Sequence, residues 1–217
     1  MHHDIEHLLA QPFGSLPELI AQQAAHRPRH TALVLGTQSL DYAALRAGMD
    51  RVGGLLQQGG FGPGDVVAIC AGTSVEYVLG YLGALRAGVA VAPLAPSSTA
   101  EHLSAMLDNC GARLVLRDHE VAAQWPLHAG AALRCVALDD AAEAGEPWSQ
   151  WLAPVDAAPA PIAPDPDSPF NVIYSSGPTG VPQGIVQSWA MRLAHVRLPI
   201  LNRYGPDTLS LSSTHLY

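Results

Sequence analysis

Lysine is missing altogether: all 11 basic residues of this 217-residue chain are arginines, set against 19 acidic residues. Chemistry that needs an ε-ammonium is therefore excluded from the chain alone. The net charge of -8 argues against sequence-independent binding to nucleic acid or to an anionic membrane. Charged residues of both signs reach only 14% and aromatics 6%. No apolar run approaches the roughly 18 residues of a membrane span, and Met1-His2-His3-Asp4 lacks the basic-then-apolar order of a secretory signal. The expectation is a soluble, cytoplasmic protein. Cysteine is limited to Cys70, Cys110 and Cys135, each among apolar neighbours and without C-x-x-C spacing, so all three are expected in the core. Neither G-x-x-x-x-G-K-[ST] nor G-x-G-x-x-G occurs, which argues against a P-loop or a dinucleotide fold. The serines lack a G-x-S-x-G elbow, so a serine hydrolase is unsupported.

What is present is apolar material, 48% of the chain, arranged in a recurring grammar. Apolar runs begin near Val66, Val89, Ala112 and Arg134, each followed by a turn and a helix-like stretch. Val66 to Cys70 and Val89 to Ala92 are continuous rather than alternating, as strands covered on both faces should be. The pattern predicts parallel β/α units, and hence an α/β fold. Ser15 with Glu18 predicts a capping box for a helix to about Ala25, and Ser98 with Glu101 predicts a second one, its helix stopped near Asn109 and Gly111. Asp41 is placed to cap a helix in which Leu45, Met49, Val52 and Leu56 share a face, ending at Gly59-Gly60. Before it, Thr31 to Leu35 and Gln38 to Leu40 read as a hairpin across Gly36-Thr37.

From Ala153 to Pro169 the chain holds 6 prolines and 5 alanines in 17 residues, which disfavours both helix interiors and central strands. This divides the chain into an amino-terminal α/β region (1–152), a connector (153–169) and a carboxy-terminal part (170–217). The last part is expected to hold a strand at Phe170 to Tyr174, a glycine-rich stretch, a helix from about Trp189 to Asn202 and a strand from about Thr208 to Ser212.

The stretch Tyr174-Ser175-Ser176-Gly177-Pro178-Thr179-Gly180-Val181-Pro182-Gln183-Gly184 is built for anion binding, because glycines let backbone N–H groups approach oxygens and hydroxyls add donors. By composition alone the stretch reads more ordinarily as a solvated turn, since Gly-Ser-Thr-Pro clusters are common loops. It resembles, however, the signature Y-[ST]-S-G-[ST]-T-G-x-P-K-G of the adenylate-forming enzymes, which include acyl-CoA synthetases, luciferases and nonribosomal adenylation domains. Ser39-Leu40-Asp41-Tyr42-Ala43-Ala44-Leu45 resembles the family's L-[ST]-Y-x-E-L motif, and Leu85-Arg86-Ala87-Gly88-Val89-Ala90-Val91-Ala92-Pro93 its L-K-A-G-x-[AV]-x-V-P motif, in the family's order.

The resemblance, closest in kind to acyl-CoA synthetases, implies the incomplete amino-terminal α/β region of such an enzyme. It implies conversion of a carboxylic acid and ATP, with magnesium, to acyl-AMP and pyrophosphate, then acyl transfer to a thiol such as that of coenzyme A. By position Ser175, Ser176, Gly177, Thr179, Gly180, Gln183 and Gly184 would contact the ATP phosphates. The sequence departs from the pattern at Pro178, which removes a hydroxyl and an N–H, and at Gln183, which stands in place of a cation. Trp189 stands where many relatives carry a histidine, and is read as a helix-packing residue. The family's Y-G-x-T-E segment, its ribose-binding aspartate and its catalytic lysine have no counterpart here. No catalytic residue is therefore assigned, and the chain alone is expected to be inactive. A fold-retaining, non-catalytic interaction module stands as the alternative. His2, His3, His7, His102, His128 and His195 have no motif partners, and no metal site is assigned to them.

Overall fold

The computed structural model describes residues 15–126, 133–153, 158–176, 182–201, 205, 208–213 and 216. In chain order the elements are α1 (Leu16–His26), β1 (Thr31–Leu35), β2 (Gln38–Asp41), α2 (Tyr42–Gln58), β3 (Val66–Cys70), α3 (Val75–Arg86), β4 (Ala90–Pro93) and α4 (Ala100–Cys110). They continue with β5 (Leu114–Arg117), α5 (His119–Gln124), β6 (Arg134–Ala137), a 3₁₀ turn (Ala142–Ala144), β7 (Glu146–Pro147), α6 (Trp148–Leu152), β8 (Pro169–Ser176), β9 (Pro182–Ser188) and α7 (Trp189–Leu201).

The helices begin where a side-chain acceptor meets the orphan N–H groups of a first turn. The Ser15 hydroxyl accepts from Glu18 N while Glu18 reaches back to Ser15 N, the full capping box. Asp41 accepts from Ala44 N at 2.8 Å, and Leu45, Met49, Val52 and Leu56 line the buried stripe of α2. At α4 the expected cap is displaced by one residue. Ser98 N closes a turn onto Ala95 O, leaving Thr99 as the extended residue whose hydroxyl accepts from His102 N at 3.2 Å. Gly111, left-handed at φ 66°, ends that helix.

Two sheets form. β1 and β2 make the antiparallel hairpin, and seven strands lie in the order β7-β6-β5-β3-β4-β8-β9. From β7 through β8 every pairing is parallel, and only β9 runs antiparallel, against β8. The β/α grammar is thus realised as a sheet with helices on both faces. On one face Val67, Ile69, Val91, Leu114 and Leu116 pack with Val52 and Leu56 of α2 and Leu85 of α3. On the other, Ala68, Cys70, Ala92 and Val115 meet Leu103, Met106 and Leu107 of α4. All four residues of β4 and of β5 are buried, the physical reason for their unbroken apolar runs. Contact between α2 and α3 is close: a Cβ at Gly83 would lie 2.3 Å from Val52 Cβ, so only glycine fits the crossing.

Three expectations need correction. Only Cys70 is buried outright; Cys110, the last residue of its helix, and Cys135, within β6, are half-buried and pack against the second core from its margin. Residues 208–213 form no strand. Leu209 and Leu211 are 91% and 93% exposed, and without a neighbouring strand among the described residues their backbone has no ladder to join. The third concerns Pro182 to Gly184, expected in the glycine-rich stretch, which instead open strand β9.

Residues 158–168 carry neither helix nor strand, yet they are held to the body of the chain. Gln57 exchanges hydrogen bonds with Ala160 N and O, and Arg86 donates to Pro159 O and Ala160 O at 3.1 Å each.

Candidate functional site

The site is the tip of the hairpin formed by β8 and β9. β8 enters the sheet parallel to β4 through the Val91–Asn171 pair, so its Ser175-Ser176 end lies at the carboxyl edge of the parallel sheet. Ligands of open α/β sheets bind outside that edge. β9 then returns with Ser176 opposite Pro182, Ser175 opposite Gln183 and Tyr174 opposite Gly184.

This register decides which predicted residues come together. Ser175 and Gln183 are directly paired, share a face and are both exposed, so a hydroxyl and a carboxamide stand side by side at the hairpin's open end. Ser176 continues β8. Gly177, Thr179 and Gly180 lie outside the described residues, as does Pro178. Gln183 and Gly184 belong to a strand, not to the loop where the sequence reading placed them. The signal for that strand was Ile185-Val186, a β-branched pair shortly after a glycine-rich turn.

Below the tip, the hairpin is tied to α4. The Tyr174 hydroxyl lies 2.8 Å from both Met106 O and Asn109 Oδ1. Burial, reinforced by the Cys110 thiol beside it, pushes the Tyr174 phenol upward, so it remains a protonated donor at neutral pH. Opposite it, a Cβ on Gly184 would sit 3.1 Å from Val172 Cγ1 and 3.2 Å from Asn109 Oδ1. Gly184 therefore has a packing reason to be glycine: it lets the strand lie close to the end of α4.

On the other side, Trp189 opens α7 and is 3% exposed, its ring edge-on to Phe170 at 4.9 Å between centroids. That is the packing role read from the sequence. Arg192, one turn on, lies over the Phe170 ring at 5.5 Å and donates to Gln187 Oε1 at 3.2 Å.

The exposed donors at the tip are neutral, which suits hydrogen bonding to phosphate oxygens without charge assistance. Among the described residues no group of three or more His, Cys, Asp or Glu side chains converges on a metal-sized site. His195 Nδ1 pairs with its own helix at Met191 O, 2.9 Å away. His2, His3, His7 and His128 lie outside the described residues. No described helix is long and apolar enough to cross a membrane.

The sequence profile of the AMP-binding enzyme family matches residues 20–212. Tyrocidine synthase 3 of Brevibacillus parabrevis is 34% identical over 172 residues, covering 79% of this chain and 2% of that protein. A dimodular nonribosomal peptide synthase of Bacillus subtilis (strain 168) is 33% identical over 178 residues, 81% of this chain and 7% of the relative. The chain thus spans a small fraction of the length of the curated relatives it matches. Among solved structures, the AMPPNP-bound form of the nonribosomal peptide synthetase FmoA3 aligns with a TM-score of 0.73 at 26% identity, over 89% of this chain and 19% of that one. These relatives are peptide synthases, so the expected likeness to acyl-CoA synthetases in particular is corrected: the similarity is to the family and to its peptide-synthase members. With the three motifs in order, the parallel sheet and its carboxyl-edge hairpin, the chain belongs to the AMP-binding enzyme family.

Proposed function

We propose that this chain is the amino-terminal portion of an adenylation unit whose hairpin tip holds the phosphates of ATP while a carboxylic acid is activated. The observation that carries the reading is the pairing of exposed Ser175 with Gln183 at the carboxyl edge of the parallel sheet, beside the glycine-rich stretch. In the reaction the acid's carboxylate oxygen attacks the α-phosphorus of ATP, the α–β anhydride breaks, and acyl-AMP and pyrophosphate result. Ser175, Ser176 and Thr179 supply hydroxyl donors to the phosphates, and Gly177, Gly180 and Gly184 allow close backbone approach. Gln183 donates an amide N–H where a cation would give a charge-assisted bond. The names of the peptide-synthase relatives favour an amino acid as the substrate and a carrier-bound thiol, rather than free coenzyme A, as the acceptor. In sequence, residues 153–169 stand between the α/β strands and the hairpin, which joins the same seven-stranded sheet.

The test is calorimetric titration of ATP into the parent chain and into the Pro178→Thr/Gln183→Lys variant. Returning a cation and a hydroxyl at the loop should tighten binding about tenfold, and the gain should shrink as salt rises. Equal affinity of the two chains, or no binding by either, would make the hairpin tip a surface turn. Amino-acid-dependent exchange of pyrophosphate into ATP should remain at the blank level in both, because the surfaces that stabilise charge in the transition state are not supplied by these residues. Exchange above the blank would overturn that part.

A further inference from the structure

The two outer strands of the seven-stranded sheet are finished differently. An edge strand presents a row of N–H and C=O groups to any extended chain that meets it, and edges are ordinarily blunted by shortness, charge or proline. β7 has all three: it is two residues long, its Glu146 is ion-paired with Arg134 at 2.7 Å, and Pro147 has no N–H to offer. β9 has none of them along its middle. It is seven residues long, with its proline at the first position, and its pairing with β8 is regular from Pro182 to Gln187. Among the described residues no strand lies along its outer side. No charged residue occurs between Asp167 and Arg192, so no charge within the segment guards the strand. Gln183, Gly184, Ile185 and Val186 are all exposed, and Ile185 and Val186, on opposite faces, are so by 50% and 56%.

The sequence of this edge is close to its own reverse. Paired antiparallel with itself about Ile185, the run Gln183-Gly184-Ile185-Val186-Gln187 sets Gln183 against Gln187, Gly184 against Val186 and Ile185 against Ile185. Amide meets amide, apolar meets apolar, and the absent side chain of Gly184 leaves room for the branched Val186. Gln187, whose Oε1 accepts from Arg192, still has its amide N–H groups to give. Centring the pairing on Gly184 or on Val186 instead would set Ile185 against a glutamine. We infer that β9 pairs with β9 of a second copy of this chain, antiparallel and across a two-fold axis at Ile185, joining two sheets edge to edge. The register is self-complementary, which favours a second copy over a foreign strand, and the net charge of -8 on each chain has no member on the strand that must touch. The blunted β7 edge takes no further strand, so association closes at the dimer. Five facing residues on each chain make a small interface, at the weak end of specific association. The pairing does not depend on ATP binding at the hairpin tip.

Sedimentation equilibrium of the parent chain without ATP should fit a monomer–dimer equilibrium with Kd of about 10–100 µM and no larger species. Ile185→Lys and Ile185→Glu each set like charges against each other at the axis, so either variant alone should dimerise at least about tenfold more weakly. Mixed in equal amounts, the two variants should recover dimerisation through a Lys–Glu pair, and the recovery should fade as salt rises. A parent that stays monomeric up to about 1 mM, single variants that dimerise as well as the parent, or a mixture that stays monomeric would each overturn the proposal. Should either variant fail to fold, amide exchange on the parent decides alone. Between dilute and concentrated protein the amides of β9 should slow while those of β7 keep their rates. Exchange in β9 that ignores concentration would overturn the proposal, because another surface would then join the copies or another segment would cover the edge.

Discussion

The sheet has two unlike halves. β3, β4 and β5 sit under helices on both faces and are buried almost throughout, whereas β9 is paired on one side only and leaves Ile185 and Val186 about half exposed, at 50% and 56%. The first half is held by packing: apolar side chains interlock and glycines let helices approach. The second is held at few points, chiefly the Tyr174 hydroxyl and the close fit at Gly184, and it carries the polar residues of the candidate site. Stability and polar groups are thus allotted to different parts of one sheet: its packed centre holds the fold, and β8 and β9 at one edge bear the polar residues of the tip.

The largest effect should come from the packed half. In Gly83→Ala the new methyl would overlap Val52 at 2.3 Å. The better helix propensity of alanine recovers about 1 kcal/mol, and the net loss should be about 2 kcal/mol by denaturant unfolding. A neutral or stabilising result would break the contrast, because it would mean that the contact between α2 and α3 is loose. Next comes the hairpin. Tyr174→Phe removes the hydroxyl that reaches Met106 O and Asn109 Oδ1 and should cost about 1 kcal/mol. Its signature should be local: faster amide exchange in β9 with β3 to β5 unchanged. Uniform loosening of all strands would show that the two halves are one cooperative unit.

Thiol reactivity sharpens the same comparison. Burial, reinforced by the Asp118 carboxylate, pushes the Cys70 thiol up to about 12, whereas burial alone leads the upward shift of the half-buried Cys110 and Cys135. Alkylation near neutral pH, followed by peptide mapping, should label Cys110 and Cys135 well before Cys70. Cys70 labelling first would mean that β3 opens more readily than its packing allows.

The smallest effect is a pH dependence at the carboxyl ends of β5 and β6, where the His119 ring meets Asp139 at 2.5 Å. The hydrogen bond to Asp139 raises His119 above its ordinary 6.5, so its contribution is complete below that value and fades as pH rises through the raised one. For Asp139 burial acts upward, but the hydrogen bonds from His119 outweigh it and the net shift is downward. Its contribution is therefore complete above the ordinary 3.8 and is lost as pH falls through the lowered value. The pair should support the fold most between 3.8 and 6.5, and His119→Gln should flatten the decline in thermal midpoint from about pH 6 to about pH 8. An unchanged profile would remove the pair from the stability of the sheet.

Local rules carried most of the packed half into view from sequence. The apolar runs at Val66, Val89, Ala112 and Arg134 marked parallel strands because burial on both faces forbids polar alternation. Ser15, Asp41 and Gly111 marked helix ends because their geometry depends only on near neighbours. Local rules failed where a turn competed, shifting a cap from Ser98 to Thr99, and where a strand depended on its partner. Residues 182–188 became a strand because β8 lay ready to pair with them, and 208–213 did not because no described strand lies alongside. The same limit governs the hairpin tip. Composition and resemblance led to the expectation that Ser175, Gln183 and Gly184 belong to a phosphate-binding stretch. Only pairing across the hairpin set Ser175 beside Gln183 and turned Gly184 toward Asn109. That β9 ends the sheet had no sequence signature at all, since an edge is defined only when every other strand has taken its place beside a partner.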